Sequence, residues 1–412
     1  MSLVFDFSRW KKCTILDLLV QPITDGPHET PKLVEDGVPF LSVESIHDGI
    51  VDISKKRGNI SPEYDTQCCK KYKPQKDDIF VVKSASVGRV AMVGEDTNFN
   101  IWSPIAALRV NDNNDPRFVF HLLQTQWIQS EMKKRSSVGS QPNLSMRVLE
   151  SFEVIVPPLE EQKIIASILD TFTALTAELT AELTARKEQY EFYRDKLLSF
   201  DHLTPEERER EREKLGVRWM TIKDLSISIC SGGTPLKSKS SYYGGDIPWL
   251  RTQEVTFNEI YSTECHISEE GLNNSSAKWI PENCVIIAIS GATAARCAIN
   301  KIALTTNQHC CNIQVNPDVA LYRYVFHWIS SHYLDLKSEG RGAREDITSQ
   351  IIANYPICIP SLDEQKRIVD VLDCFNSLCS DLSNGIPAEI EARKKQYEYY
   401  RDKLLSFDKV SS

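Results

Sequence analysis

One long amphipathic helix is written twice in this chain. Residues 176–200 read TAELTAELTARKEQYEFYRDKLLSF, and residues 391–407 read EARKKQYEYYRDKLLSF. In both copies apolar and aromatic residues recur every three or four positions, which places them in one stripe along a helix. A narrow stripe on a long helix needs a partner helix, and the matching stripe belongs to the other copy. The repeat therefore predicts two antiparallel helices that form an intramolecular coiled coil of about thirty residues per helix.

The repeat extends beyond these helices. PPLEEQKIIASILDTF (157–172) resembles IPSLDEQKRIVDVLDCF (359–375), and the globular parts share the fainter pairs TILDL and TIKDL, VPFL and IPWL, and FVFH and YVFH. Gln162 and Gln365 are 203 residues apart, whereas Arg194 and Arg401 are 207 apart, so the second helix is four residues longer. Each half of the chain is a globular domain followed by a long helix. The domains differ more than the helices, as expected if the helices are a common frame.

The predicted fold class is α+β, with two similar globular domains separated by two long antiparallel helices in a pseudo-twofold repeat. Short β-branched runs bounded by Gly, Asn, Asp and Pro indicate strands in the domains, and helical patterns cover residues 118–134 and 322–336. The predicted boundaries are domain 1 (1–156), first spacer helix (157–200), linker helix (201–216), domain 2 (217–360) and second spacer helix (361–412). Thr204, Pro205 and Glu207 cap the linker helix. Gly385 and Pro387 predict a break or kink in the second spacer helix, with Pro387 in the first turn of a restarted helix.

Composition restricts the classes of protein. No apolar run approaches the ~20 residues of a membrane span, and the start, MSLVFDFSRW, lacks the pattern of a signal peptide, so we expect a cytoplasmic protein. The net charge is −9, and residues 157–216 hold 14 acidic against nine basic residues. Because the two globular segments are nearly balanced, each can still present a basic face. The candidate clusters are residues 55–57, 70–73 and 133–135, against the alternative that these are solvated surface lysines.

The 12 cysteines predict neither disulfides nor a metal site. A chain that is not exported keeps its thiols reduced, and no Cys-x-x-Cys pair occurs. The group His309-Cys310-Cys311, with Cys265-His266, is interpreted as buried thiols in a β-rich core. Phosphate-binding loops, dinucleotide fingerprints, zinc-protease motifs and nucleophile elbows are missing from the sequence as well. Two similar globular domains held apart by a pair of long helices favour a protein that binds two related targets at a fixed separation. The successive grooves of B-DNA offer two such targets.

The repeated domains and the motifs of the long helices resemble those of a known family. Two variable domains, each followed by P-L-x-E-Q-x-x-I and a helix ending in Q-Y-x-x-Y-R-D-x-L-L-S-F, resemble the specificity subunits of Type I restriction-modification systems. The four-residue repeats TAEL at 176–179 and 180–183 resemble the spacer repeat of one branch of that family. Residues 231–255 and 306–315 resemble the pattern of its second domain, and residues 23–41 resemble a common version of the first. Domain 1 departs from the pattern at TNFNIWSP, where it lacks the Asn-Gln pair.

The resemblance implies a non-catalytic subunit whose two target recognition domains bind the halves of an asymmetric, bipartite sequence in double-stranded DNA. It implies that the helices bind two methyltransferase subunits, which methylate adenine, and that two restriction subunits complete the enzyme. The chain itself is then expected to bind no cofactor, since S-adenosylmethionine, ATP and Mg act on the partner subunits. No membrane partner is implied.

Polar residues in loops after the matched strands are the candidates for DNA contact. Arginine and glutamine suit bidentate reading of guanine and adenine edges. The candidates of domain 1 are Ser42, Glu44, Lys55, Lys56, Arg57, Ser86, Arg89, Gln141 and Asn143. The candidates of domain 2 are Arg251, Thr252, Gln253, Arg296, Arg341 and Arg344. For each of them an ordinary surface loop is the alternative.

Two other classes of protein remain open. A structural coiled-coil protein explains the helices but needs no diversified heads. A self-contained DNA methyltransferase needs a cofactor loop that the sequence lacks, and the segment NYPI (354–357) matches a methyltransferase motif only in part. Binding of S-adenosylmethionine by the pure chain would favour the self-contained methyltransferase. Specific DNA binding in the presence of methyltransferase subunits would distinguish a specificity subunit from a structural protein.

Overall fold

A computed structural model describes residues 6–137, 142–199, 216–340, 346–380 and 385–405. The chain divides into two compact units. Unit 1 contains residues 1–180 and 389–412, and unit 2 contains residues 181–388. Each unit therefore combines one globular domain with the beginning of the helix that follows it and the end of the other long helix. The linker helix expected at 201–216 lies almost wholly outside the described residues.

The globular part of unit 1 is built on a mixed six-stranded sheet of order β2-β10-β7-β8-β5-β4, a three-stranded sheet β6-β3-β9 and the ribbon β1-β11. Its strands are β1 (Lys11–Thr14), β2 (Thr24–Asp25), β3 (Val38–Leu41), β4 (Ile46–His47), β5 (Gly49–Val51), β6 (Gly58–Ile60), β7 (Ile79–Val82), β8 (Val90–Met92), β9 (Asn100–Ile101), β10 (Ile105–Leu108) and β11 (Glu153–Val156). Its short helices are α1 (Pro62–Cys69), α2 (Pro116–Leu123), α3 (Gln126–Arg135) and α4 (Met146–Glu150). Strands β7 and β10 are buried throughout, as their apolar sequences IFVV and IAAL require.

Long helices complete the structure. Helix α5 (Leu159–Ser199) has 41 residues and passes through both units, which makes it longer than the thirty or so residues expected. Ile165 and Leu169 on α5 lie in the core of unit 1, and Leu198 lies in the core of unit 2. Burial of each such side chain contributes about 1.5–3 kcal/mol to folding.

Unit 2 repeats the topology, with sheets β13-β21-β18-β19-β15 and β16-β14-β20-β17 and the ribbon β12-β22. Its strands are β12 (Arg218–Thr221), β13 (Ser226–Ser231), β14 (Tyr243–Leu250), β15 (Glu259–Ile260), β16 (His266–Ile267), β17 (Trp279–Ile280), β18 (Val285–Ala288), β19 (Cys297–Asn300), β20 (Leu304–Thr306), β21 (Cys310–Val315) and β22 (Pro356–Ile359). Its helices are α6 (Glu269–Asn273), α7 (Tyr322–Ser331), α8 (Tyr333–Ser338), α9 (Ser349–Asn354) and α10 (Leu362–Ser380). In both units the ribbon joins the first and last strands of the domain, and its antiparallel register pairs Lys11 with Val156 and Arg218 with Ile359.

The second long helix is interrupted where glycine and proline predicted a break. Helix α10 ends at Ser380, and α11 (Ile386–Leu405) begins with Pro387 in its first turn. Residues 381–384 lie outside the described residues. Phe172 stacks on Tyr400 in unit 1 with ring centroids 5.4 Å apart, and Tyr193 stacks on Phe375 in unit 2 at 5.6 Å. The early part of α5 thus meets α11 and its late part meets α10, so the helices pair in antiparallel order and the expected fold class is confirmed.

A buried glutamine fixes the start of each long helix. In unit 1 the side chain of Gln162 accepts from the backbone N of Asp115 at 2.8 Å and donates to the carbonyl of Pro157 at 2.9 Å. In unit 2 Gln365 accepts from the N of Leu321 at 2.8 Å and donates to the carbonyl of Pro360 at 2.9 Å. These bonds tie the helix to the loop before α2 or α7. The repeated E-Q of the sequence is therefore a structural anchor.

We expect Gln365→Leu to lower the free energy of unfolding by about 1–3 kcal/mol, because it leaves the buried N–H of Leu321 without an acceptor. Urea unfolding followed by tryptophan fluorescence measures the loss. Gln350→Leu is the matched control, since Gln350 is exposed on α9 in the same unit. A loss no larger than that of the control would contradict the anchoring role.

In the part of the chain that the structure describes, one helix is long and apolar enough to cross a membrane. A window within Leu159–Leu198 of α5 has a mean hydropathy of 1.4. The expectation that no stretch approaches a membrane span is therefore corrected. A single helix of this kind is weak evidence for a membrane, since length and composition alone single it out.

Candidate nucleic-acid interface

Two matched turns carry the candidates that follow the strands. In unit 1 the chain leaves β3 through Ser42 into a short 3-10 turn, Val43–Ser45. In unit 2 it leaves β14 through Arg251 into the equivalent turn, Thr252–Glu254. Ser42 and Glu44 therefore occupy the positions that correspond to Arg251 and Gln253. The expected placement of these residues in loops after matched strands agrees with the structure.

Two matched hairpins carry the next group of candidates. Strands β7 and β8 in unit 1, like β18 and β19 in unit 2, are joined by loops that contain two residues with positive φ. These are Ala85 (65°) and Gly88 (98°), and Gly291 (78°) and Ala295 (68°). The backbone N of Val82 donates to the carbonyl of Arg89 at 2.8 Å, and that of Ala288 donates to Arg296 at 2.9 Å. Arg89 and Arg296 thus stand at the same position of the same hairpin.

In each unit the turn and the hairpin lie side by side. The Nη1 of Arg89 approaches the carbonyl of Val43 at 3.5 Å, and the Oγ1 of Thr293 donates to the carbonyl of Thr252 at 2.9 Å. Candidates that are distant in sequence are thereby brought together. Unit 1 groups Ser42 and Glu44 with the hairpin of Ser86 and Arg89. Unit 2 groups residues 251–253 with Arg296.

Arg251 and Arg296 of unit 2 each have a buried Nε atom that forms no hydrogen bond within the described residues. An Nη of Arg251 pairs with Glu264 at 2.5 Å, and its backbone N donates to Glu254 at 3.0 Å. The Nε of Arg251 lies 3.9 Å from the carboxylate of Glu254, which is too far for a hydrogen bond. A buried donor left unsatisfied costs about 1–3 kcal/mol. Because both atoms are buried, each arginine side chain has to change its conformation before its Nε can donate to an incoming acceptor.

A polar cleft of about 890 Å³ gathers part of the unit 1 candidates. Glu44, Lys55 and Arg89 line it. Gln126, Gln129 and Arg401 also line it and were not predicted from the sequence. Lys133 lines the cleft as well, and it belongs to the basic cluster 133–135 that the sequence predicted. The cleft therefore offers cations and amides beside the hairpin that carries Arg89, together with the carboxylates of Glu44, Asp48, Glu398 and Asp402.

The basic clusters differ in what they face. Lys55, Lys56 and Arg57 are all exposed, and the guanidinium of Arg57 lies 4.1 Å from the ring centre of Trp102. In cluster 70–73, by contrast, Lys71 forms an ion pair with Asp25, whose side chain is almost fully buried. At least one cation of that cluster is therefore neutralised by a carboxylate of its own domain. The cluster of residues 55–57 remains on the surface with one cation held flat against an aromatic face.

Trp102 also explains the missing Asn-Gln pair of domain 1. Its backbone N donates to the carbonyl of Leu41 at 3.0 Å, whereas in unit 2 the N of Asn307 donates to Leu250 at 2.9 Å. Strands β3 and β9 pair in parallel, as do β14 and β20. Trp102 therefore stands where the second domain has the asparagine of the pair.

The remaining candidates lie at a third loop. Asn143 is exposed, and it forms an isolated bridge with Ser84 at the start of the Arg89 hairpin. In unit 2 the N of Ile347 donates to the carbonyl of Ile289, at the start of the Arg296 hairpin. Both loops thus return beside the matched hairpins. Gln141, Arg341 and Arg344 lie outside the described residues.

Cysteines and carboxylates form no metal centre in the described part of the chain, where no group of three or more His, Cys, Asp or Glu side chains could hold an ion. Cys310 and Cys311 are fully buried on β21, and burial raises the pKa of each thiol to about 12. Neutral buried thiols are poor nucleophiles and poor ligands. Both residues are packing residues, as the sequence indicated.

Comparison with known proteins gives consistent matches. A family model described as "Type I restriction modification DNA specificity domain" matches residues 28–188 and again residues 216–392. The chain is 35% identical over 291 residues to a type I restriction enzyme specificity subunit of Escherichia coli, and the alignment covers 69% of this chain and 66% of the relative. It is 30% identical over 276 residues to a putative type I specificity subunit of Haemophilus influenzae, with 64% and 66% covered. The chain thus spans just under two thirds of the length of these curated relatives.

Among solved structures, the S subunit of a type I restriction-modification system from M. genitalium superposes with a TM-score of 0.57. The two sequences are 16% identical, and the match covers 96% of both chains. At this identity the likeness concerns the fold. The family match falls twice on the chain, once on each repeat.

Proposed function

The chain belongs to the family of type I restriction-modification DNA specificity domains, as its helix motifs indicated, and on this premise we propose that it is the subunit that reads the DNA target. Each globular domain contacts one half of an asymmetric, bipartite sequence in double-stranded DNA. The loops that contain residues 42–44 and 84–89 read one half-site. The loops that contain residues 251–254 and 290–296 read the other.

One observation carries this proposal. The two units present the same turn and hairpin at the same place, with Arg89 and Arg296 in equivalent positions, yet the turns differ in chemistry. One offers Ser42 and Glu44, and the other offers Arg251 and Gln253. A serine and a carboxylate on one side, and a guanidinium and an amide on the other, have different base-edge partners. The same turn and hairpin with different side chains suit a DNA target whose two halves differ in sequence.

We propose further that the long helices bind two methyltransferase subunits and that two restriction subunits complete the enzyme. The helices support this by exposing one surface twice. Phe192 is 61% exposed, and Tyr399, its counterpart in the second copy, is 59% exposed. Lys196 lies over the first ring and Lys403 over the second, at 5.9 and 5.5 Å. A surface repeated in this way fits two copies of the same partner. S-adenosylmethionine, ATP and Mg act on those subunits, and the complex works in the cytoplasm.

Reconstitution tests the function against its alternatives. The chain is mixed with the methyltransferase subunit of the same system, and adenine methylation of genomic DNA is mapped. We expect bipartite methylated sites only when both proteins are present. Methylation by the pure chain would favour a self-contained methyltransferase, and a mixture that binds no specific DNA would favour a structural protein.

Arg296→Ala is expected to lower methylation of the target about 5- to 150-fold, as loss of a bidentate base contact does. Methylation rates of the reconstituted complex on one defined duplex measure the loss. If Arg296 reads a base, the relaxed specificity is confined to one half-site. If it holds a phosphate, binding weakens for all sequences and its salt dependence becomes shallower.

Arg218→Ala is the matched control, since Arg218 lies exposed on β12, outside the turn and the hairpin of unit 2 and outside the long helices. Equal methylation rates for the two variants would contradict a DNA contact by Arg296. Arg89→Ala is expected to affect the other half-site.

A further inference from the structure

Each unit contains the same chain of four polar side chains between its domain and its helices. In unit 1 the hydroxyl of Tyr397 lies 2.8 Å from Nδ1 of His121, and Nε2 of His121 lies 3.0 Å from Asp170. Arg117 reaches the same aspartate at 3.2 Å. The tyrosine comes from α11, the histidine and arginine from α2, and the aspartate from α5. We refer to this group as the clasp.

The clasp of unit 2 is built from the repeated counterparts. Tyr190 lies 3.2 Å from Nδ1 of His327, and Nε2 of His327 lies 2.8 Å from Asp373. Arg323 also donates to Asp373, through Nη2 at 2.8 Å. Here the tyrosine comes from α5 and the aspartate from α10. The four residue types are therefore retained in both repeats, although the domains that supply His and Arg have diverged.

The chemistry fixes the direction of each hydrogen bond in unit 2. Burial lowers the pKa of His327, and its bond to Asp373 offsets this only in part, so the ring is neutral. Burial alone would raise the pKa of Asp373, but bonds from His327 and Arg323 lower it below its usual value. A charged carboxylate only accepts, so Nε2–H donates to Asp373 and Nδ1 accepts from Tyr190. Burial raises the pKa of Tyr190 to about 12, which keeps that hydroxyl a donor.

Both histidine side chains are fully buried, and both ring nitrogens of each have partners. A buried ring with a partner at each nitrogen tolerates little rotation, because any shift leaves a buried polar atom unpaired. Apolar packing alone would hold domain and helices together but would not set one angle between them. The clasp supplies the directional part of that junction.

We propose that the clasp residues are positioning residues, which set the angle of each recognition domain on its helices and so set which gap between half-sites is accepted. This rests on the proposed function. The tyrosines belong to the Q-Y-x-x-Y-R-D segment that the chain writes twice. The C-terminal end of each long helix supplies the tyrosine for the clasp of the other repeat's domain, which accounts for the presence of this segment in both helices.

Tyr190→Phe and Tyr397→Phe test the proposal, since each removes one hydroxyl and keeps the ring. The complex reconstituted with methyltransferase subunits is given duplexes with the native gap and with one base pair more or fewer. We expect the preference for the native gap to fall about tenfold in each variant, with both half-site sequences still required. Tyr193→Phe and Tyr400→Phe are the matched controls, because their rings stack on Phe375 and Phe172 and stay partly exposed.

Unchanged gap preference in both clasp variants, with only a lower melting temperature, would overturn the proposal and leave a purely structural bond. Amide hydrogen exchange on the chain without partners gives a second readout that does not depend on the proposed function. Tyr397→Phe is expected to speed exchange in α2 and α11 and to leave the sheet of unit 1 protected. Exchange equal to that of Tyr400→Phe would count against the clasp. A wild-type complex that methylates no bipartite site would instead refute the proposed function.

Discussion

A third Thr-Ala-Glu-Leu word inserted after Leu183 is expected to keep both half-site sequences and to widen the gap between them by about one base pair. Four residues add about 6 Å to a helix, and a base pair rises about 3.4 Å. The added length lies between one and two base pairs, and tilt and DNA flexibility absorb the remainder. Methylome sequencing of cells that carry the insertion measures the gap directly.

The structure supports this use of the repeat. Residues 176–183 lie within the continuous helix α5, and the hydroxyls of Thr176 and Thr180 bond to carbonyls one turn back, at 2.9 and 2.8 Å. Leu179 and Leu183 are half-buried, whereas the alanine and glutamate of each word are exposed. A further word repeats this pattern, and four residues return the apolar stripe to nearly the same face. Alanine and glutamate are good helix formers, so the insertion should cost little stability.

A two-residue insertion, Thr-Ala, is the control. It turns the rest of the helix by about 200°, which moves the apolar stripe to the opposite face. We expect this variant to lose methylation rather than to shift the gap. An unchanged gap with full activity after the four-residue insertion would refute the interpretation that the length of this repeat sets the gap.

Exchange of residues 217–360 for those of a relative is expected to change one half-site completely and to leave the other half-site untouched. The exchanged segment enters through β12 and leaves through β22, whose register pairs Arg218 with Ile359. Its two ends therefore lie side by side, and the graft does not stretch the chain. Methylated sites of the hybrid, mapped across a genome, report both halves at once.

The donor segment has to keep the histidine and arginine that correspond to His327 and Arg323, because Tyr190 and Asp373 stay with the recipient. The reciprocal exchange of residues 1–156 should alter the opposite half-site. If both half-sites changed together in either hybrid, the domains would not read independently.

The sequence predicted the repeat, the long helices and the break at Pro387, because these depend on local periodicity and on backbone chemistry. It also placed residues 42–44 and 251–253 in equivalent loops, since strands with matching letters precede them. It did not predict that Arg89 would lie beside Val43, or that Lys133 and Arg401 would line the same cleft. Those contacts depend on the sheet register and on which helix end docks on which domain. Tyr397 and His121 are 276 residues apart in the sequence, so their hydrogen bond could not be predicted from local sequence patterns.

Unit 2 is continuous in sequence, but unit 1 is not, and this difference bears on synthesis of the chain. The first domain leaves the ribosome early, yet its core includes Leu405, and Tyr397 and Leu404 pack against that core. Residues 181–388 hold everything that unit 2 requires. The domain translated first is therefore the last to be completed. Until α11 emerges, the apolar surface that packs against Leu405 is exposed, and transiently exposed surface of this kind is prone to aggregation.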